Sequence, residues 1–550
     1  MKKIQIIAIM TSLVLVACNK LNNPPVSIIQ DQQIFTSVGG IQAYFAGIYN
    51  RLPIEDTKFD NGSGYFQFSF IDAINMFTGE GTNKNQGGWV NMTSNGGTGN
   101  TFYYDCYYNI RNANYFIENM PKYTANFTPA QVNNWIGEAY FLRAFTYFEL
   151  VKRYGGIPLI LTVENYPQQS LDDLQVPRNS EQEVYDQIGA DLDKSYSMMG
   201  ATSENRGRAN KYAAAAMKSR AMLFAGSIAK YNTRNVVDPA TNKRVQGIPA
   251  TAAVAYFKAS YAASLLVQTG GYQLYRNTAA TDKVGNYVNL FFDVTGANKE
   301  AIFTKEYSFG NAGSSYDVFA VPRQETAPIG YASYIDPSED YVELFDGLPK
   351  NADGTLKTTD ANGNYIYYGI TPTTNQVPYS TYNTVNTAAP TGANIAIDAT
   401  VPSSNNLISN EYGIFQTAEP RLLATVIVPG ALFKGELIDV RRAIYTGSIT
   451  NGIPQFPLSS TTPYNGNANI VASTAMDGTP AVNVSNPAIN VPAGTNFLSG
   501  GLSGIYGSRN TGTITGYFIR KYSNQTYATS YINGAASVTP WLEMPRPIGS

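Results

Sequence analysis

Between residues 60 and 101, Gly, Asn, Ser and Thr are interleaved with Tyr65, Phe66, Phe68, Phe70, Phe77 and Trp89, and no 3.6-residue period runs through them. Three of these rings, Tyr65, Phe77 and Trp89, stand near Glu80, Asn85 and Asn91. Flat apolar faces beside neutral amides and a carboxylate suit a ligand that presents C–H faces and hydroxyls together, as a sugar ring does. The competing reading is that the rings are core, since large aromatics are usually buried. It weighs least on Trp89, which lies in Gly87-Gly88-Trp89, where no helix hides it. A stretch this long without regular structure is uncommon in a compact domain unless it is functional or disordered, and its aromatic content argues against disorder.

Composition narrows the chemistry further. The 550 residues contain no histidine, so the commonest general base, the commonest transition-metal ligand and the triad partner are all missing. No catalytic residue, metal site or cofactor is expected. A net charge of −2 with 14% charged residues offers no source for counterion-release attraction, so nucleic acid is an unsuitable partner. Aromatic surface is abundant instead, with 40 Tyr and 26 Phe.

The N-terminus sets the compartment. Lys2 and Lys3 precede an apolar run from Ile4 to Val16, too short to span a bilayer as a helix, which reads as a secretory leader. Leu15-Val16-Ala17-Cys18 looks like a bacterial lipobox whose cysteine takes up lipid. Residues 1–17 are then the leader, and 18–38 an anchored tether and N-terminal segment. With Cys18 lipidated, Cys106 has no intramolecular partner and no disulfide framework is expected.

Helical patterns must position these groups. One is expected from Gly39 to Leu52, with Ile41, Phe45, Ile48 and Tyr49 on one face. Thr128, Pro129 and Gln131 form a capping box with proline at the first helical position, opening a helix that Gly155-Gly156 stops. Ser180 and Glu183 open a second, and an alanine-dense third runs from about Arg208 to Lys230. A fourth spans roughly Ala252 to Gln268. Paired helices with small alanines suggest tetratricopeptide-like hairpins across residues 39–270. Residues 271–550 read as irregular and loop-rich, with β-like pieces such as Glu300–Tyr307 and Leu422–Val428. The expected class is mostly α, a tetratricopeptide-like hairpin bundle with an irregular α+β region.

Phe141-Leu142-Arg143-Ala144 through Tyr147-Phe148, then Leu150-Val151-Lys152-Arg153-Tyr154-Gly155-Gly156-Ile157-Pro158-Leu159, resembles the SusD/RagB family of outer-membrane nutrient-binding lipoproteins. Pro177-Arg178-Asn179-Ser180, Gly207-Arg208-Ala209-Asn210-Lys211 and Thr515-Gly516-Tyr517-Phe518-Ile519-Arg520-Lys521-Tyr522 agree in order. Arg143, Tyr147, Arg153 and Tyr154 read as packing and helix-end residues that identify the family, not the ligand site. The resemblance implies non-catalytic capture of glycans or oligosaccharides at the outer membrane and delivery to a SusC-like TonB-dependent transporter. Where the family runs on into a closing helix pair after Trp541-Leu542-Glu543-Met544, this sequence has Pro545-Arg546-Pro547-Ile548-Gly549-Ser550, which implies one helical hairpin fewer.

By position, the resemblance adds a second cluster after Glu300–Tyr307: Tyr316, Arg323, Tyr331 and Tyr334. Arg323 would serve sugar hydroxyls or a surface carboxylate equally well. Asp360-Ala361-Asn362-Gly363-Asn364 has the alternating oxygens of a calcium loop, but its glycine is displaced and the distal glutamate is missing, so it reads as a turn. Three other functions stay open: a peptide-binding member of the same family, a surface glycoside hydrolase with paired carboxylates, and an adhesin or scaffold using its helical face.

Overall fold

The structure is a computed structural model. It describes residues 31–54, 81–83, 101–205, 207–293, 298–307, 322, 335–358, 361, 411–433, 436–438, 443–445, 449–450, 453–454, 470–472, 513, 515–523 and 544–547. The chain divides into two compact units. Unit 1 comprises Met1–Pro53, Asn100–Glu204 and Ala209–Gly270, and unit 2 comprises Ile54–Gly99, Asn205–Arg208 and Gly271–Ser550.

Unit 1 is helical: α1 (Asp31–Phe35), α2 (Val38–Asn50), α3 (Thr101–Asn119), α4 (Pro129–Tyr154), α5 (Glu181–Met198), α6 (Lys211–Tyr231) and α7 (Ala253–Gln268). From α3 onward each helix packs on the next, the stacking expected of tetratricopeptide-like hairpins. Both capping boxes form, with Thr128 and Gln131 opening α4 and Ser180 and Glu183 opening α5. At the end of α4, Gly155 adopts a φ of 68° and the Gly156 N–H donates to the Val245 carbonyl at 2.7 Å. Helix α4 is buried on nearly every side, including Glu138, Arg143, Thr146 and Glu149, so it is the axis of the unit's core.

Three sequence expectations shift. Helix α6 begins at Lys211, because the Asn210 side chain accepts from the Tyr212 and Ala213 N–H groups and caps it there. The apolar run Leu422–Val428 opens as a helix, Pro420–Thr425, and only Val426–Ile427 is strand. Proline at the first helical position wins over β-branched composition there. The strand expected over Glu300–Tyr307 starts at Thr304, since the Asn298 side chain turns the chain by accepting from the Glu300 and Ala301 N–H groups.

Unit 2 carries short helices, α8 (Lys283–Leu290), α9 (Glu339–Glu343) and α10 (Pro420–Thr425), and two-stranded antiparallel ladders. The strands used below are β1 (Gly81–Asn83), β2 (Thr304–Tyr307), β3 (Ile335–Pro337), β4 (Val426–Ile427), β5 (Phe518–Ile519) and β6 (Met544–Pro547). β1 pairs with β3, β4 with β5, and β2 with β6. The described core of unit 2 gathers Val342, Leu348, Leu356, Phe415, Leu422, Val426, Phe433, Ile438, Tyr517 and Phe518.

Candidate functional site

The family-like motifs resolve into scaffold. Arg143 is clamped in the core of unit 1, its Nε and Nη2 donating to the two Asp191 carboxylate oxygens at 2.7 Å each. Its Nη1 donates to the Asn114 side chain and the Leu161 carbonyl. Tyr147 exchanges hydrogen bonds with the Ile160 backbone, donating at 2.9 Å and accepting at 2.8 Å. Burial pushes its phenol well above the ordinary tyrosine range. Arg178 donates to the Gly156 and Tyr154 carbonyls at the end of α4, and Asn179 accepts from the Leu159 N–H. Ala209 donates its N–H to the Tyr49 hydroxyl, which itself donates to Glu138 at 2.6 Å. In unit 2, Arg520 reaches the Leu423 carbonyl, and the Lys521 ammonium lies 4.5 Å from the centre of the Phe291 ring.

The expected ligand residues Tyr65, Phe77, Glu80, Asn85, Trp89, Asn91, Tyr316, Arg323, Tyr331 and Tyr334 lie outside the described residues, as does Cys18. The structure does describe the ladder between their two stretches of chain. The register sets Gly81 opposite Pro337, Thr82 opposite Asp336 and Asn83 opposite Ile335. Antiparallel neighbours lie about 4.8 Å apart. Glu80 directly precedes β1 and Tyr334 directly precedes β3, while Asn85 follows Asn83 by two residues. Within the stretch read as a loop, Gly81–Asn83 is therefore a paired strand.

The ladder is firmly seated. Asp336 is fully buried, and β5 lies against β3. Immediately after β3, Ser338 caps α9 by accepting from the Tyr341 N–H at 3.2 Å. Val342 of α9 enters the core, and Glu343 accepts from the Leu356 N–H at 2.6 Å. Sequence alone could not find this pairing, because β1 is three residues long and its partner lies in another part of the chain.

Comparison with known proteins fits this scaffold. Residues 33–223 match the SusD-like family described as starch-binding and associating with the outer membrane. Over that region the chain is similar to SusD-like proteins. SusD-like protein P2 of Formosa agariphila is 28% identical over 233 residues, 42% of this chain and 45% of that protein. A second SusD-like protein of the same organism is 29% identical over 205 residues, 36% of this chain and 38% of that protein. These alignments span less than half the length of either relative. The crystal structure of a SusD-like carbohydrate binding protein from Bacteroides fragilis superposes with a TM-score of 0.52 at 15% identity. That match covers 94% of this chain and 72% of the other, and shows the shared fold.

Proposed function

We propose that this protein belongs to the SusD family and captures glycans or oligosaccharides at the outer membrane without cleaving them. In this reading it is held by lipid on Cys18 and passes its ligand to a SusC-like TonB-dependent transporter. The observation that supports the reading is the β1–β3 ladder, whose strands adjoin in sequence the two aromatic-bearing stretches that hold the candidate residues. The match of residues 33–223 to a family described as starch-binding supports carbohydrate as the ligand class. Stacking from Trp89, Tyr331 and Tyr334 with hydrogen bonds from Glu80, Asn85 and Asn91 would supply the contacts, and Tyr65, Phe77, Tyr316 and Arg323 complete the candidate set.

Affinity electrophoresis of the soluble form, lacking residues 1–18, against plant, host and microbial polysaccharides tests this, with peptides as comparators. One polysaccharide class should retard the protein. Trp89→Ala and Tyr334→Ala should each weaken that retardation by about tenfold, the worth of a good aromatic contact. Binding of peptides alone would overturn the carbohydrate assignment.

A further inference from the structure

Helix α3 carries a separate aromatic surface, entirely within unit 1. Tyr104 and Tyr108, one turn apart, are 65% and 50% exposed, against the usual tendency of large rings to be covered. The Tyr103 ring stands at 87° to that of Tyr104 with centroids 6.2 Å apart, so the two form a corner. Tyr103 is held in place by Tyr107 at 4.9 Å and, edge-on, by Tyr154 at 5.2 Å. Tyr107 in turn donates to the Pro158 carbonyl at 2.7 Å. Beside this corner the Arg51 guanidinium lies over the Tyr108 ring, 4.7 Å from its centre, and 3.7 Å from the Asp105 carboxylate. Both charged side chains are about half exposed, which leaves donors and acceptors facing solvent.

We propose that Tyr103, Tyr104, Tyr108, Arg51 and Asp105 form an additional glycan-binding subsite, an inference that rests on the carbohydrate reading above. The Tyr104 ring supplies a floor for the C–H face of a sugar, and Tyr103 supplies a fixed wall. Arg51 donates to ring hydroxyls and Asp105 accepts from them, and the mutual neutralisation of these two groups suits an uncharged sugar. Tyr104 and Tyr108 are about 6 Å apart along the helix axis, so successive units of a chain can meet them in turn. The Tyr103 wall is already packed on Tyr107 and Tyr154, so ordering it on binding costs little. Two rings and one ion pair fall far short of the roughly 800 Å² a side that a stable protein interface covers.

Tyrosine nitration with tetranitromethane on the full chain, mapped by mass spectrometry, tests the subsite with each polysaccharide that retards the protein. Saturating polysaccharide should abolish nitration of Tyr104 and Tyr108. Tyr231 and Tyr261, 70% and 66% exposed on α6 and α7, should react as before. The double variant Tyr104→Ala with Tyr108→Ala should keep its circular dichroism and lose about tenfold in affinity. If a polysaccharide binds while Tyr104 and Tyr108 nitrate at full rate, the subsite is overturned and the carbohydrate reading stands. If no polysaccharide binds, both fall.

Discussion

Arg143 and Asp191 show what a single residue pair contributes to this protein. Their side chains are 5% and 0% exposed, and the guanidinium fork meets both carboxylate oxygens, so each charge is desolvated and fully matched. Removing one partner strands the other. Asp191→Ala should therefore destabilise unit 1 by about 3–5 kcal/mol in urea unfolding, and a loss below about 1 kcal/mol would contradict the clamp. Sequence identified Arg143 and Tyr147 as packing residues, and that role holds. The sequence could not show which carboxylate answers Arg143, because Asp191 lies on the next helix and a lone Asp at a helical position usually faces water. The ligand residues were read from composition and position alone, and Tyr104 and Tyr108 were missed at this scale. Their i, i+4 spacing on one face was the available signal.

At the scale of elements, explicit end signals decided what was legible. Proline, the two capping boxes and Gly155-Gly156 gave α4 and the start of α5 directly. Helix α3 escaped because its first turn continues the aromatic composition of the preceding stretch. Its buried face also includes Asn109 and Asn114, which mute the apolar period. The α5 cap makes a pH prediction. Burial opposes the charge on Glu183, but two Lys243 contacts at 2.9 and 3.0 Å and donors from Ser180 and Asn179 outweigh it and hold the carboxyl at about 2. Its contribution is therefore fully present above about pH 4.5 and is lost as pH falls through about 2. Chemical denaturation should find wild type more stable than Glu183→Gln at pH 6, with the gap closing between pH 4.5 and 2. A gap independent of pH would exclude this carboxylate as the cause.

Over the whole molecule, the helical half was legible and the second half largely was not. Stacked helices repeat a local period, whereas the ladders described in unit 2 are two to four residues long. Segments of that length carry too few alternating positions to declare a strand, and their partners lie far away in sequence. The β1–β3 and β2–β6 pairings therefore emerge only in three dimensions. They matter because the first of them pairs two strands far apart in sequence, each adjoining a stretch that carries candidate ligand residues. The most direct test is a calorimetric titration of the soluble chain with an oligosaccharide from the polysaccharide class it retains, with reducing ends assayed in the same sample. Saturable heat with no reducing ends released is the predicted result; release of reducing ends, or heat only with peptides, would contradict capture of glycans without cleavage.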